Sequence, residues 1–97
     1  MTEIRFHPEA QAEYQAAFEW YRDRSERAAG RSEFEVERVL ELSKANPEMF
    51  PRYDGEHRLV MLRRFPYFLV YRSQPERIEI IAVAHAHRSP GYWKRQG

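Results

Sequence analysis

The stretch that decides the fold is residues 65–93, FPYFLVYRSQPERIEIIAVAHAHRSPGYW. Two runs within it, 68–72 and 78–84, are rich in the β-branched and aromatic residues that favour strands. Pro66 interrupts the chain before the first run, and residues 73–76 (SQPE) join the two runs as a hairpin loop. With the preceding residues 58–65, the sequence predicts three successive strands at 58–65, 67–72 and 77–86. Their short connections predict an antiparallel meander.

Upstream of these strands, the spacing of apolar residues predicts two helices. The first begins at Pro8, where a missing backbone N–H is harmless, and Gly30 marks its end. Ser32 and Glu35 have the spacing of a capping box, which predicts that the second helix starts there and ends before Pro47. The apolar stripes are Ala10, Tyr14, Ala17, Phe18 and Tyr21, broadened by Trp20, in the first helix, and Val36, Val39 and Leu40, flanked by Phe34 and Leu42, in the second.

A weak alternation over residues 2–6 predicts a short first strand. The complete order is therefore β-α-α-β-β-β, an α+β class in which a helical hairpin packs on one face of an antiparallel sheet. A short C-terminal turn or helix, opened by Ser89 and Pro90, carries Tyr92 and Trp93. The 97 residues are enough for one modest core, so we expect a single domain over residues 1–97.

Composition and charge limit the function. The chain has no cysteine, which removes disulfides and thiolate metal sites, and it has neither a signal-peptide pattern nor the roughly 18–20 apolar residues of a membrane span. We expect a cytoplasmic protein with no membrane association. Residues 1–50 carry 7 basic and 11 acidic side chains, whereas residues 51–97 carry 9 basic and 4 acidic ones. An anionic partner is therefore expected to meet the C-terminal half.

The end of the last predicted strand carries the residue types that chemistry needs. His85 and His87 lie two apart on a strand and so share a face, with Arg88 and Tyr92 nearby. One interpretation is general acid–base work with an arginine anion clamp, as in an RNA-cleaving site. Another is a pair of structural imidazoles that anchor the terminal turn. A metal site is disfavoured, because no third ligand lies close in the sequence.

Five arginines of the predicted strands are candidates for a basic patch, although alternation divides them between the two faces of the sheet. Part of the set is expected to be an ordinary solvated surface. For the aromatic residues Tyr92 and Trp93, core packing and surface stacking remain equally open. The candidate residues for contact with a binding partner are Arg58, Arg63, Arg64, Arg72, Arg88, Tyr92 and Trp93.

The chain resembles the RelE/ParE toxins of type II toxin–antitoxin systems, and in particular the ParE-like plasmid stabilisation proteins. The residues that carry the resemblance are FPYFLVY at 65–71, IIAVAH at 80–85 and RSPGYW at 88–93, preceded by HPEA at 7–10, WY at 20–21 and NP at 46–47. They cover nearly the whole chain in the right order. The resemblance implies a helical hairpin on an antiparallel sheet, the fold that periodicity predicts independently.

The resemblance implies one of two activities. RelE-type members cleave mRNA on the ribosome with basic residues and a tyrosine, whereas ParE-type members poison DNA gyrase. The RelE-type lysine pair falls on Leu59 and Met61, and its two arginines fall on Phe68 and Ala86, so that only the tyrosine survives, as Tyr92. Losing those cations leaves little to stabilise a developing phosphorane, which argues against an enzyme. If the chain is a ribonuclease, His85, His87, Arg88 and Tyr92 are the candidate catalytic residues.

The favoured hypothesis is a growth-inhibiting toxin that binds DNA gyrase or another protein target and is neutralised by a cognate antitoxin. The alternatives are a ribosome-dependent mRNA endoribonuclease and a degenerate module that binds its antitoxin without killing. The antitoxin is expected in a groove between the helical hairpin and the sheet, or at a sheet edge. No cofactor or metal is expected, and a homodimer is possible.

Overall fold

The computed structural model describes residues 2–88 and 91–95, so Ser89 and Pro90 of the predicted terminal turn lie outside the described residues. The predicted order of elements is confirmed, and two helices pack on a four-stranded sheet in an α+β fold. The elements are β1 (Glu3–Phe6), α1 (Pro8–Arg24), α2 (Glu26–Ala45), β2 (Arg58–Met61), β3 (Tyr67–Gln74) and β4 (Arg77–His85), followed by a 3₁₀ helix (Tyr92–Arg95).

The sheet is mixed, with the strand order β1-β4-β3-β2. The pairs β2–β3 and β3–β4 are antiparallel, as the short connections predict. β1 pairs parallel to β4, with Ile4 opposite Ile78 and Phe6 opposite Ile80. Both helices and two strands separate β1 from β4 in the chain, so no tight turn imposes an antiparallel pairing, and the expectation of a wholly antiparallel sheet is corrected at this edge.

The break between the two helices lies at Ser25, not at Gly30. The Ser25 backbone N–H donates to the Tyr21 carbonyl and ends α1, while the Ser25 side chain accepts from the Ala28 N–H at 3.2 Å and begins α2. The predicted start of α1 is confirmed, since Pro8 follows the N-cap residue His7. Among the described residues, no helix is long and apolar enough to cross a membrane.

Ser32 and Glu35 lie inside α2 and do not form the predicted capping box. The Ser32 hydroxyl donates to the Ala29 carbonyl at 2.7 Å, and the buried Glu35 carboxylate binds the Arg38 guanidinium through two contacts of 2.8 Å. The same carboxylate accepts from the Arg63 backbone N–H at 2.6 Å. Glu35 therefore joins α2 to the β2–β3 connection, a tertiary role that its spacing from Ser32 does not reveal.

The sheet has a core on each face, and a β-bulge determines which residues of β4 enter each core. Val70 lies opposite Ala82 and Tyr71 opposite Ile80, so β4 advances two residues where β3 advances one. This shift places Ile80 and Val83 in the core beneath the helices and Ile81 in a second cluster with Val70, Ala82 and Trp93. The main core also contains Ala10, Val36, Val39, Leu40, Val60, Leu62, Leu69, Tyr71 and Ile78.

β2 is shorter than predicted, because the chain turns after Met61. The Leu62 N–H donates to the Tyr67 carbonyl, and Arg64 has a φ of 67°, a left-handed conformation uncommon for arginine. Arg63 and Arg64 therefore lie in a turn and not on a strand face. Tyr71 and Arg58 anchor the preceding loop, since the Tyr71 hydroxyl donates to the Pro47 carbonyl at 2.7 Å and the Arg58 guanidinium donates to the Phe50 carbonyl at 2.7 Å.

Candidate functional site at the end of strand β4

The end of β4, the turn after it and α1 together form a groove of about 280 Å³. We call it the Tyr92 groove, lined by Glu13 and Trp20 of α1, Tyr67 of β3, His85 of β4, Arg88 and Tyr92. Trp20 is 49% exposed, so it lies at the rim and does not extend the buried stripe of α1 as predicted. Three of the candidate residues from the sequence, His85, Arg88 and Tyr92, are thus brought together.

Glu13 is the central acceptor of this groove. Its carboxylate accepts from the Val83 backbone N–H at 2.9 Å and from the Tyr92 hydroxyl at 2.6 Å. The pairing of β1 with β4 ends at Phe6 opposite Ile80, so β4 continues beyond its neighbour. The Val83 N–H has no neighbouring strand to accept from it at this edge and needs another acceptor. The Glu13 side chain of α1 takes that role. Glu13 therefore ties α1, β4 and the terminal 3₁₀ helix together.

The electrostatics of the groove keep the Tyr92 phenol protonated. Burial and then the hydrogen bond to Glu13 raise the pKa of Tyr92 well above its ordinary value of 10.0, and Arg88 opposes this rise. The Arg88 guanidinium carbon lies 4.0 Å from the centroid of the Tyr92 ring, a cation–π geometry. Tyr92 is therefore a hydrogen-bond donor committed to a carboxylate at neutral pH.

The two histidines do not share a strand face as predicted, because β4 ends at His85 and His87 lies in the following turn. Their rings stack with centroids 5.1 Å apart, and His85 Nδ1 accepts from the His87 backbone N–H at 3.1 Å. His85 also packs edge-on against the Tyr67 ring, with centroids 5.1 Å apart. This geometry suits imidazoles that stabilise the turn. Among residues 2–88 and 91–95, no group of three or more His, Asp and Glu side chains could hold a metal ion.

The five candidate arginines occupy separate parts of the surface. Arg58 donates to loop carbonyls, and Arg72 pairs with Glu79 at 2.8 Å. Arg63 and Arg64 lie in the exposed β2–β3 turn, and Arg88 covers the Tyr92 ring. The structure therefore divides the predicted basic patch into internal pairs and two exposed groups.

Trp93 belongs to the second core. It is 4% exposed and packs with Val70, Ile81 and Ala82, while the Tyr53 ring lies edge-on to it with centroids 5.0 Å apart. The open choice between core packing and surface stacking is thus resolved toward core packing for this ring.

The four positions onto which the resemblance places RelE-type cations all hold apolar residues. Leu59 packs on the second core, and Met61 is 49% exposed at the end of β2. Phe68 lies opposite Ala84 in the β3–β4 ladder, and Ala86 donates its backbone N–H to the Pro66 carbonyl at 2.7 Å. Among the described residues that line the Tyr92 groove, Arg88 is the one arginine or lysine. One cation beside a carboxylate provides little stabilisation for a phosphoryl transition state.

Sequence reasoning missed Glu13 as a site residue. It lies beside Tyr14 of the apolar stripe, and no local feature separates it from the other acidic residues of α1. Its two partners are 70 and 79 residues away in the chain. The single available signal, a carboxylate at the edge of an apolar stripe, is too common to identify it.

The fold and this groove define a class of small α+β proteins in which a helical hairpin covers a sheet and the chain end returns to the first helix. The sequence model of a protein family, the ParE toxin of type II toxin–antitoxin systems (parDE), matches residues 4–90 of this chain. The chain therefore belongs to the ParE toxin family. Membership in a toxin–antitoxin pair implies an antitoxin partner.

A solved structure agrees with this assignment at the level of the fold. A chain from the "Chromosomal ParDE TA system from P. aeruginosa" superposes with a TM-score of 0.73 at 21% sequence identity, and the match covers 90% of this chain and 98% of that chain. A search of curated proteins gave no match.

Proposed function

We propose that this ParE-family toxin inhibits bacterial growth by binding a protein target such as DNA gyrase in the cytoplasm, and that its cognate antitoxin neutralises it. The observation that carries the non-enzymatic proposal is the hydrogen bond of 2.6 Å from the Tyr92 hydroxyl to Glu13. A phenol held by a carboxylate, with one arginine stacked on its ring, is poorly placed to assist RNA cleavage. The exposed arginines Arg63, Arg64 and Arg88 are the proposed contacts with the target or the antitoxin.

Controlled induction in a bacterial host tests this proposal. We expect growth arrest, a DNA-damage response and trapped gyrase–DNA cleavage complexes, all suppressed when the antitoxin is co-expressed. Tyr92→Phe is the diagnostic variant, since it removes the hydroxyl and keeps the ring beneath Arg88. It should retain toxicity if the protein acts by binding. Growth arrest without cleavage complexes in cells and with purified gyrase would contradict the gyrase target.

One observation keeps a ribosome-dependent endoribonuclease as the second candidate. Arg88 and Tyr92 are in contact, and the stacked imidazoles of His85 and His87 come just before Arg88 in the chain. Primer extension on cellular mRNA after induction separates the two candidates. Codon-phased cuts that disappear in both Tyr92→Phe and His87→Ala would establish the enzyme, whereas intact mRNA during growth arrest excludes it.

A further inference from the structure

A second concave surface, away from the Tyr92 groove, combines positive charge with exposed aromatic area. It measures about 470 Å³ and lies between α2 and the β2–β3 turn. We call it the α2 groove, lined by Arg27, Arg31 and Arg38 of α2 and by Arg63, Arg64 and Phe65 of the turn. It shares Arg63 and Arg64 with the predicted basic patch, but its other three arginines belong to the half of the sequence with acidic net charge.

The arrangement of charge on α2 follows from helical spacing. Arg31 lies four residues after Arg27 and seven before Arg38, so the three arginines share one face. Glu33 and Glu37 lie on the side toward α1, where both raise the pKa of Tyr14. Glu33 and Glu37 therefore lie apart from the arginine face, and the groove receives the three arginines together with Glu35.

Four of the five guanidinium groups are available to a partner. Arg38 is held by Glu35, which is also tied to the turn through the Arg63 backbone N–H. Arg27, Arg31, Arg63 and Arg64 are exposed. None of these four side chains forms an ion pair with another residue in the described ranges 2–88 and 91–95. Like charges gathered in one concave surface attract an anionic partner.

The groove also offers apolar contacts. Phe34 is 72% exposed, the largest exposed fraction among the large hydrophobic residues in the described part of the chain. Phe65 lies half-buried on the opposite wall, in edge-on contact with Tyr21 at 5.1 Å between centroids. A Cβ built on Gly30 meets no atom within 4 Å, so the wall between Arg27 and Phe34 is open. Both phenylalanine rings therefore offer apolar surface to a partner in this groove.

We propose that the α2 groove binds an acidic polypeptide segment of a partner protein, with carboxylates on the arginines and an apolar side chain against Phe34. The helical rise of about 1.5 Å per residue places Arg27 and Arg31 about 6 Å apart along the axis, the spacing of glutamates four residues apart on a partner helix. This proposal rests on the proposed function and deepens it, because Arg63 and Arg64 are among the proposed contacts with the target or the antitoxin and the proposal states the chemistry of the segment that they bind.

Two observations favour a polypeptide over a nucleic acid. The groove contains the carboxylate of Glu35 beside Arg38, which a continuous phosphate backbone would have to pass. The net charge of the whole chain is +1 and its pI is about 8.1, below the range above about 9 that is typical of nucleic-acid-binding domains. The positive field is therefore local and supplies little general affinity for polyanions.

Fluorescence anisotropy with the full chain tests the proposal. The probe is a labelled helical peptide that carries glutamates four residues apart and one leucine between them. We expect saturable binding that weakens with salt, and about tenfold weaker binding for Arg31→Glu, since reversing one exposed charge alters several ion pairs at once. Arg52→Glu is the matched control, because Arg52 is an exposed arginine outside the groove. This control should bind the peptide like the wild-type chain.

Two uncharged changes test the apolar part of the groove. Phe34→Ser should weaken binding of the leucine peptide and leave a peptide with serine at that position unaffected, because it removes a contact and not a charge. Gly30→Trp should block the groove, whereas Gly30→Ala should not, since space is open there. Circular dichroism confirms that each variant is folded.

Equal peptide affinity in the wild-type chain and Arg31→Glu would overturn the proposal. Tighter binding of a single-stranded oligonucleotide, sensitive to the same variant, would also overturn it and assign the groove to nucleic acid. Neither result bears on gyrase cleavage complexes, so this proposal and the proposed function fail independently.

Discussion

Replacing Glu13 with alanine should destabilise the protein by about 3 kcal/mol, because the carboxylate makes two hydrogen bonds that connect distant parts of the chain. A hydrogen bond to a charged group contributes about 1.5–3 kcal/mol, and both bonds border an open groove where water can replace part of the interaction. We therefore use the lower value for each bond. The change is a large fraction of the roughly 5–15 kcal/mol that stabilises a typical domain.

A double-mutant cycle isolates the bond between Glu13 and Tyr92. Tyr92→Phe alone should cost about 1.5 kcal/mol, and Glu13→Ala should cost about 1.5 kcal/mol less in that background than in the wild-type chain. Urea unfolding followed by circular dichroism measures all four free energies of unfolding. Glu19→Ala is the matched control on the same helix, since the Glu19 carboxylate accepts one exposed hydrogen bond from Gln15. It should change the stability by less than about 0.5 kcal/mol.

A coupling energy near zero would refute this reasoning, since it would mean that the carboxylate and the phenol stabilise the fold independently. A Glu13→Ala variant as stable as Glu19→Ala would refute it more broadly, because the Val83 N–H would then need no acceptor.

Three further outcomes are expected. Gly30→Ala should raise the free energy of unfolding by about 0.5–1 kcal/mol in a urea titration. Gly30 lies inside α2, and the space at its Cβ position is open. A loss of stability would show that the glycine is required there. Trp93→Ala should lower the free energy of unfolding by about 3 kcal/mol or more, whereas Trp93→Phe should lower it by less than about 1.5 kcal/mol. The phenylalanine keeps most of the packing and removes a buried Nε1 that has no hydrogen-bond partner in the described part of the chain. Equal losses of stability would contradict this. Stability should fall as the pH rises above 10.0, because Tyr14 then ionises in the unfolded chain but not in the folded one. In the folded protein, burial and the charges of Glu33 and Glu37 raise the pKa of Tyr14 to about 12. A flat stability profile between pH 10 and about 12 would exclude this.

The sequence predicts secondary structure correctly where the local pattern of residue types is clear. The apolar runs that became β3 and β4 and the proline at the start of α1 predicted these elements correctly. The helix break was predicted five residues too late, because Ser32 with Glu35 matches a capping box and Ser25 lacks a glutamate three residues on. Ser25 caps α2 with its own hydroxyl, and tertiary demands on Glu35 outweigh its local spacing.

The sequence by itself determined the order of the elements and the apolar residues that the helices bury, since these depend on residue type and spacing alone. Only the tertiary structure decided the parallel pairing of β1, the bulge in β4, the acceptor role of Glu13 and the meeting of α2 arginines with the β2–β3 turn. Each of these joins residues far apart in the chain, where the energy of packing and of satisfying backbone groups, and not local periodicity, selects the partner.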